Sequence, residues 1–481
     1  MAEASPRTLT RNMVLSVMVV LTLINFINYI DRYLLSALLE SIKTEFALTD
    51  GEAGRLFTLF MVVYMVVSPL TGWLGDRRTR KYLVAVGVGL WSLATIGSGY
   101  ARDYTELSIM RALVGLGEAG YATVAPAMIA DLYAPDRRGR MLAYFYLAIP
   151  VGSAIGFILG GQLAEHGAGM VGGPGLELLG LADAADPGWR LAFIIAGAPG
   201  LIMAIVAALI PEPVRGSSDV AKPADGEGGD AGEEKGPEHP VDILVRLLQS
   251  PTFRATTGGM TLMAFTIGGL AGWVPSFLQR AHGMSKADAG TIFGGITVVA
   301  GTLATLIGGR MGDRAFARRQ GGYLSVSGWG LIAGAPIVVL LAILGAKTPV
   351  LIFIFFAEFV LFLNTGPLNA ALVGCVPASL RASSVALNVL VIHGLGDAIS
   401  PWLIGEVATA AGPALAGGIL GATEGAAGLS FALLLTAIPV CLGGVWLVVG
   451  AKQVDAEPEG LIARQPEYGP SRMIARLFKR E

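Results

Sequence analysis

The chain has 481 residues, of which 53% are hydrophobic and 15% are charged, and its formal net charge is −2. In soluble proteins about a quarter of all residues are charged. The composition therefore excludes an ordinary soluble protein and indicates an integral membrane protein. The near-neutral charge provides no global basic field for nucleic acid. The two cysteines, Cys375 and Cys441, both lie in apolar stretches, which argues against a disulfide framework.

Long apolar runs recur along the whole chain. A helix that crosses a bilayer needs roughly 20 apolar residues. The first run contains Asn28 and Asp31 and is not followed by a small-residue cleavage site, so we expect a retained helix and not a signal peptide. The pattern predicts an all-α membrane protein with twelve transmembrane helices, over residues 13–36, 54–75, 82–101, 105–132, 140–164, 190–210, 252–280, 286–308, 323–346, 349–373, 383–409 and 428–450.

The acidic, Gly- and Pro-rich segment between the sixth and seventh runs divides the chain. Such a segment cannot bury enough apolar surface to offset its ordering entropy, although residues 241–249 regain helical spacing and are expected to lie on the membrane surface. A second Gly-rich stretch, 165–189, is predicted to connect the fifth and sixth runs on the outer side. The predicted domains are a six-helix bundle over 1–210, a cytoplasmic linker over 211–251, a second six-helix bundle over 252–450 and a basic cytoplasmic tail over 451–481.

Basic residues are distributed unevenly between the two sides of this arrangement. Most of the 34 Lys and Arg residues fall in the segments that share a side with both chain ends. Cytoplasmic loops retain Lys and Arg. We therefore expect a multi-pass protein of the cell membrane, of the bacterial inner-membrane type, with both termini in the cytoplasm.

An internal repeat is the strongest single signal. Residues 72–81, which read GWLGDRRTRK, follow the second run, and residues 309–314, which read GRMGDR, follow the eighth run at about half a chain length. An Asp beside several Arg can join two helices in one conformation and release them in another; anchoring by positive charge alone is the alternative, but it does not explain the Asp residues. The predicted conformational gate consists of Gly72, Asp76, Arg77, Arg80, Asp313 and Arg314.

These residues resemble a known family. Residues 72–81 resemble the inner-loop signature of the major facilitator superfamily, except at Thr79, where Gly is usual, and the second copy, the twelve runs and the central linker agree with it. Two further motifs, residues 28–33 (NYIDRY) and 111–119 (RALVGLGEA), resemble the spinster-like branch. The resemblance implies two pseudo-symmetric six-helix bundles, transport activity, and lysolipids or phosphorylated sphingoid bases as cargo.

Charged residues within the spans concentrate on the first and fourth helices. Asp31 and Arg32 belong to one polar stripe of the first helix, and Arg111 and Glu118 share one face of the fourth. Ionisable groups in a bilayer are costly and indicate function. We expect Asp31 and Glu118 to carry a coupling proton, with Arg111 as their counter-ion or as a contact for an anionic head group. A static ion-pair cluster that locks the helices is the alternative.

The substrate site is expected between the two bundles, where transporters built from repeats bind their cargo. In the second bundle, Glu358 and Asn369 share a helix face, and His393 and Asp397 are four residues apart; helix packing or a buried hydrogen bond is the alternative for each pair. The predicted substrate-binding residues are Asn28, Tyr29, Arg32, Tyr64, Arg111, Tyr121, Glu358 and Asn369.

Other chemistry finds no support in the sequence. The four histidines are dispersed without metal-ligand spacing, and no phosphate-binding loop ends in Gly-Lys-Ser/Thr. We therefore predict no metal and no cofactor beyond a proton gradient. The preferred function is a monomeric, proton-coupled secondary transporter that works by alternating access on an amphipathic, lipid-like anion. A carrier of small organic acids or drugs, a membrane lipid enzyme and a non-transporting sensor are the alternatives; the enzyme would need a paired nucleophile and base, which the sequence does not show.

Overall fold

The computed structural model describes residues 10–133, 135–215, 240–376 and 381–456. The described chain is almost entirely helical. One turn of π-helix, His393–Asp397, interrupts the α-helices, which are Arg11–Phe46, Asp50–Arg77, Arg80–Gly99, Tyr104–Ala122, Ala125–Leu132, Pro135–Tyr146, Ala148–Leu178, Pro187–Leu209, Pro240–Gln249, Pro251–His282, Lys286–Phe316, Gly322–Ile343, Lys347–Leu363, Thr365–Gly374, Arg381–Ile392, Ser400–Leu415, Glu424–Leu435 and Ala437–Ala456.

Twelve helical segments are long and apolar enough to cross a membrane, which confirms the predicted number. We call them span 1 to span 12; spans 1–6 form the first half and spans 7–12 the second half. Several extend beyond the predicted ends, because polar residues near the ends continue the helix. The spans are Arg11–Phe46, Asp50–Gly75, Arg80–Gly99, Tyr104–Leu132, Tyr144–Leu178, Pro187–Leu209, Pro251–His282, Lys286–Phe316, Gly322–Ile343, Lys347–Gly374, Ser384–Leu415 and Glu424–Ala456.

Local sequence explains where several spans begin and end. Thr49 and Glu52 form a capping box at the start of span 2, and Asp103 and Ser285 accept a hydrogen bond from the backbone at the starts of spans 4 and 8. These side chains bond with N–H groups that have no partner within the helix. Gly283 ends span 7 in the left-handed conformation, with φ 60°.

Four spans are interrupted near their middle. Span 4 breaks at residues 123–124, span 10 breaks at Asn364, span 11 contains the π-helical turn, and span 12 breaks at Thr436. A proline follows each interruption by a few residues, at positions 126, 367, 401 and 439. Proline lacks an N–H donor and crowds the preceding turn, so the sequence itself weakens the helix at these points.

The Gly-rich stretch after the fifth span differs from its prediction. Helix Ala148–Leu178 continues through most of residues 165–189, with a kink at Gly172, where φ is 70° and ψ is 170°. The predicted connection is therefore wrong for residues up to Leu178. Gly and Pro here bend the helix but do not end it.

The two ends of the bundle differ. We call the end that holds residues 77–81 and 310–319 the basic end, and the end that holds residues 43–52 and 280–288 the opposite end. Hydrogen bonds between the halves, among the described residues, lie from the middle of the spans to the opposite end; examples are Ser36 to Ala271, Thr58 to Ala398 and Gln162 to Thr291. One buried apolar cluster includes residues of both halves, such as Leu38 and Phe277. The halves are therefore packed together at the opposite end.

A lock of three charged residues, Glu40, Asp50 and Arg280, joins the halves at the opposite end. The guanidinium of Arg280 from span 7 lies 2.6 Å from Glu40 Oε1 and 2.8 Å from both carboxylate oxygens of Asp50. Lys43 also pairs with Asp50. Bidentate arginine–carboxylate pairs are strong and geometrically specific, so this lock stabilises the closed opposite end.

Candidate functional site

Asp31 and Arg111 meet as a buried pair inside the first half. Asp31 Oδ1 lies 3.6 Å from Arg111 Nη1, and each residue is 1% exposed. The hydroxyl of Thr95, on span 3, donates a hydrogen bond to Asp31 Oδ2. Spans 1, 3 and 4 therefore each contribute one polar group to this pair.

Arg32 and Glu118 form a second pair beside the first. Arg32 Nη2 lies 3.3 Å from Glu118 Oε2; Glu118 is buried, whereas 16% of the Arg32 side chain is exposed. The ring centroids of Phe60, Tyr64 and Tyr29 lie 5.0, 5.3 and 5.5 Å from the guanidinium carbon of Arg32. Cation–π contacts of this kind hold a guanidinium in place. We call Asp31, Arg32, Arg111 and Glu118 the charge cluster.

Two glycines of span 4 allow the close helix contacts that bury the charge cluster. A Cβ atom at Gly115 would lie 2.3 Å from the carbonyl oxygen of Phe60 on span 2, and one at Gly117 would lie 2.6 Å from the backbone nitrogen of Trp91 on span 3. A larger residue at either position would push the helices apart. Because these glycines lie between Arg111 and Glu118, the close contacts shield both charges from lipid.

Several buried atoms of the charge cluster make no hydrogen bond with any described residue. They are Asp31 Oδ1, Arg32 Nε, Arg111 Nε and Nη1, and Glu118 Oε1. A buried donor or acceptor without a partner costs about 1–3 kcal/mol. A purely static cluster would gain stability by completing these bonds, so the arrangement favours a site that binds a proton or a polar ligand.

A pocket of about 70 Å³ lies between the halves and reaches the charge cluster. Arg32 and Arg111 line it from the first half, and Asp397 lines it from the second half. The volume is enough for a few water molecules or a small polar group. Two guanidinium groups and one carboxylate therefore face the same space, where an anionic group would find unused donors.

The second half contributes a hydrogen-bonded pair to the region of the pocket. His393 Nδ1 lies 2.9 Å from Asp397 Oδ2, and the pair spans the π-helical turn of span 11. The ring of His393 packs edge-on against Tyr64 of the first half, with centroids 6.4 Å apart. Such π-turns occur frequently at functional sites.

The remaining predicted substrate residues lie in different environments. Asn28 is buried in span 1. Tyr121 is also buried, and its hydroxyl donates to the Leu21 carbonyl at 2.6 Å. Asn369 is exposed, and its amide donates to the Thr365 carbonyl of its own helix at 2.8 Å. The structure thus brings Tyr29 and Tyr64 to Arg32, whereas Tyr121 and Asn369 donate to backbone carbonyl groups.

The predicted gate residues lie at the basic end in two separate groups. Arg77 is exposed and its guanidinium lies 4.3 Å from the ring centroid of Trp73; the side chain of Asp76 lies outside the described part of the chain. In the second copy, Arg314 is exposed and Asp313 accepts a 2.9 Å hydrogen bond from Tyr323. Gly72 has open space around it.

Arg80 is the most firmly held residue of the predicted gate. It is 5% exposed, and its guanidinium lies 2.5 Å from Asp131 Oδ2 and 3.2 Å from Glu212 Oε1. Glu212 also accepts bonds from the backbone N–H groups of Arg80 and Lys81. In the second copy, Asp455 has the role that Glu212 has in the first: it accepts hydrogen bonds from Arg319 and from the backbone N–H of Gly321. Each loop is thus tied to the end of the last span of its own half.

Thr95, Phe60 and Arg280 are among the residues of these sites that the sequence analysis does not single out. Thr95 and Phe60 are ordinary residues of apolar spans, and no local pattern distinguishes them. Arg280 lies at a predicted helix end, where charge counting treats a basic residue as a membrane anchor. The signal that could have identified Arg280 is the pair of acidic residues at the facing ends of spans 1 and 2, Glu40 and Asp50.

Comparisons with known proteins agree about the family. A family model described as Major Facilitator Superfamily matches residues 21–401. The protein spinster of Drosophila melanogaster is 34% identical over 400 residues, which are 81% of this chain and 61% of that protein. Protein spinster homolog 1 of Xenopus laevis is 33% identical over 416 residues, or 81% of this chain and 72% of that protein. The chain therefore spans about three fifths to three quarters of the length of these relatives.

Solved structures share the fold. A crystal structure of a bacterial homolog to the human lysosomal transporter Spinster, in an inward-facing and unoccupied conformation, has a TM-score of 0.79 and 24% identity and covers 92% of this chain and 98% of its own. A D-xylose–proton symporter has a TM-score of 0.68 and 17% identity, with 90% and 97% covered. At these identities the likeness concerns the arrangement of the helices alone.

Proposed function

We propose, given that the chain belongs to the major facilitator superfamily and to the spinster family within it, that this transporter couples proton movement to the transport of an amphipathic, lipid-like anion. The observation that carries the proposal is the charge cluster, in which two acids and two arginines keep unused hydrogen-bonding atoms beside a pocket between the halves. Such a transporter is not an enzyme, and its driving force is a gradient.

Alternating access is supported by the difference between the two ends. The lock and the other bonds between the halves hold the opposite end closed. At the basic end, the described gate residues bond within their own halves. We assign the basic end to the cytoplasm of a cell membrane, with both termini on that side, so the conformation is open inward. In the other conformation the lock separates and the predicted gate residues meet.

The charge cluster provides a mechanism for coupling. When Glu118 or Asp31 binds a proton, its attraction to Arg32 or Arg111 falls, since the carboxyl group is then neutral. The guanidinium that is released gains donors for an anionic head group in the pocket. Proton and substrate therefore act on the same ion pairs, which is the condition for linking their movements.

The lipid-like nature of the substrate follows from the family resemblance and is compatible with the site. The pocket at the arginines accommodates a small charged group. Tyr33, Phe57 and Phe60 line it with apolar surface, and the rings of Tyr29 and Tyr64 lie against the Arg32 guanidinium. An arginine fork matches the geometry of a phosphate group. We therefore propose lysophospholipids or sphingoid phosphates, with the phosphate near Arg32 and Arg111.

The experiment uses the full chain in proteoliposomes with a panel of lysophospholipids, sphingoid phosphates, drugs and small organic acids. Parent protein is expected to move a lipid anion faster when a pH gradient is imposed. Glu118→Gln keeps the shape of the side chain but cannot release a proton, so transport driven by the gradient should fall by about tenfold or more. Glu106→Gln, at a half-buried acid in the first turn of the same span, is the matched control and should behave like the parent.

Two results would contradict this proposal. If Glu118→Gln transport responded to the pH gradient as the parent does, Glu118 would not carry the coupling proton. If the parent moved organic acids or drugs but none of the lipids, transport activity would be supported and the proposed lipid substrate would be wrong.

A further inference from the structure

The helix Pro240–Gln249, which we call the linker helix, is held to the second half by a buried side chain. Its Leu247 is 1% exposed and belongs to a buried apolar cluster with Phe253, Leu372 and Val376. These partners come from the basic ends of spans 7 and 10. The linker helix therefore packs on the basic end of the second half.

The backbone also keeps the linker helix beside span 7. Ser250 is the single residue between the two helices. Its hydroxyl accepts a 3.3 Å hydrogen bond from the N–H of Phe253, and its own N–H donates to the Leu247 carbonyl at 3.1 Å. A serine in this position caps the helix that follows. The linker helix thus lies at the level of the first turn of span 7.

Two further leucines of the linker helix are exposed. Leu244 is 39% exposed and Leu248 is 49% exposed; we call these two residues the leucine edge. At 100° per residue, they lie about 60° and 100° from Leu247 on one side of the helix. Arg246 and Gln249 lie about 100° and 160° from it on the other side. The leucine edge therefore continues the apolar face of Leu247, and the polar residues point away from it.

An exposed tryptophan marks the depth of the membrane interface near this helix. Trp446 of span 12 is 51% exposed, and its indole N–H donates to the carbonyl oxygen of Arg254 at 3.1 Å. Tryptophan is enriched where the lipid head groups meet the acyl chains. Arg254 is the next residue after Phe253, which shares the buried cluster with Leu247. The linker helix therefore reaches the depth of this interface.

The surface next to the buried cluster is apolar as well. Val373 directly follows Leu372 and is 38% exposed. Leu387 of span 11 packs against the cluster, and Val385 and Val389, on either side of it in the sequence, are 38% and 36% exposed. Exposed valines on a membrane span face the hydrocarbon of the bilayer. The cluster that holds the linker helix therefore adjoins a surface that faces lipid.

The bilayer is the occupant that fits the leucine edge. Residues 216–239 of the linker contain one large apolar side chain, Val220, and are rich in Gly, Asp and Glu, so they offer little apolar surface to cover it. A helix with an apolar edge and a polar far side binds in the plane of the membrane surface. The depth given by Trp446 and the exposed valines agree with this placement.

We propose that the leucine edge binds the leaflet at the basic end, with both side chains among the acyl chains below the head groups, and that the linker helix thereby anchors the second half to the membrane surface. This inference goes beyond the proposed function and does not depend on the transported molecule. Because the cluster around Leu247 consists of residues of the second half, the anchor follows that half when the two halves move.

The experiment measures the depth of a spin label on the full chain in vesicles of phosphatidylcholine and phosphatidylglycerol. Cys375→Ala and Cys441→Ala remove the native thiols, and single labels are attached to Leu244→Cys, Leu248→Cys or, as the matched control on the polar side, Gln249→Cys. Collisions with oxygen, which dissolves in lipid, are compared with collisions with a water-soluble nickel chelate. We expect the ratio of oxygen to nickel collisions on the leucine edge to exceed the ratio at Gln249 by about threefold or more, because an inserted apolar face lies about 5–10 Å deep.

Two results would overturn the contact with lipid. If the labels on the leucine edge collide with the nickel chelate as often as the label at Gln249, the edge faces water. If they are shielded from both oxygen and nickel, another part of the chain, such as residues 457–481, covers the edge. Transport is not measured, so either result leaves the proposed function in place.

A further variant tests the attachment to the second half. Leu247→Ser removes the side chain that joins the buried cluster. The label at Leu248 should then keep its depth in the membrane but become more mobile, which broadens the range of motion seen in its spectrum. Unchanged mobility would show that Leu247 does not hold the linker helix, and the anchoring of the second half would be wrong.

Discussion

The two halves share one architecture but differ in how they treat charge. In the middle of the first half, two buried acids each pair with an arginine of the same half, Asp31 with Arg111 and Glu118 with Arg32. The second half leaves Glu358 without a described partner and pairs Asp397 with a histidine of the same turn. The two halves therefore share their helix arrangement, whereas the partners of their buried acids differ.

The loops at the basic end show the same difference. Arg80 in the first copy is buried and binds two acids and the carbonyl oxygen of Pro213. Arg319 in the second copy has 49% of its side chain exposed, and its bond to Asp455 is 3.2 Å long. Corresponding arginines are thus a buried anchor in one half and a surface contact in the other.

The largest expected effect tests this contrast between the loops. Arg80→Ala removes a buried guanidinium that binds Asp131, Glu212 and the carbonyl oxygen of Pro213, which should destabilise the protein by about 3 kcal/mol. Arg319→Ala removes an exposed pair and should cost at most about 1 kcal/mol. Thermal unfolding of both variants in the same detergent measures the difference, and equal shifts in Tm would show that the two anchors are equivalent.

A second prediction compares two arginine pairs that both join the halves. The Arg280 side chain in the lock is 11% exposed, while the pair of Arg55 and Glu406 has side chains 54% and 39% exposed. Arg280→Gln should shift the conformational equilibrium by about tenfold towards a state open at the opposite end, because desolvated charge pairs contribute more than exposed ones. Arg55→Gln should shift it by about twofold at most.

Spin labels at Arg102 and Lys347, which are exposed at the opposite end on different halves, report this shift as a longer distance. Labelled protein without the Arg280 substitution is the control for the labels. An unchanged distance distribution in Arg280→Gln would mean that apolar packing, such as that of Leu38 and Phe277, closes this end without help from the lock.

The fold could be predicted from the sequence because its signal is repeated and long. Twelve apolar runs, each close to the thickness of a bilayer, define the spans, and the repeated loop after spans 2 and 8 divides them into halves. The Gly-rich composition of residues 165–189 predicts a connection between the fifth and sixth spans. In an apolar environment no water is available to bond with backbone N–H and C=O groups, so these groups stay bonded within a helix. The helix therefore continues, with a kink at Gly172.

The charge cluster was predictable only in part. Asp31, Arg32, Arg111 and Glu118 stand out because charge is rare in spans, and helical spacing placed them on two faces that meet. Which acid pairs with which arginine depends on how spans 1 and 4 cross. The periodicity within a single helix does not determine that crossing. The acids that bind Arg80, Asp131 and Glu212, come from the ends of spans 4 and 6, and the loop motif does not contain them.

The smallest expected effect concerns Thr95, which the sequence did not distinguish. Its hydroxyl donates to Asp31, so Thr95→Val removes one donor from the charged carboxylate while it keeps the side-chain volume. Because Asp31 keeps Arg111 as its partner, the loss of this one hydrogen bond should cost about 0.5–1.5 kcal/mol. Since the charged form of Asp31 loses support, the pH midpoint of transport should move to higher pH, and the rate should fall by about threefold to tenfold.

Ser92, one turn earlier on span 3, supplies the matched control. It is buried as well, but its hydroxyl makes no hydrogen bond with any described residue. Ser92→Ala should therefore leave the pH profile in place. If Thr95→Val also kept the parent's profile and lost only thermal stability, Thr95 would support the packing of spans 1 and 3, and the proton role of Asp31 would have to be argued from Arg111 alone.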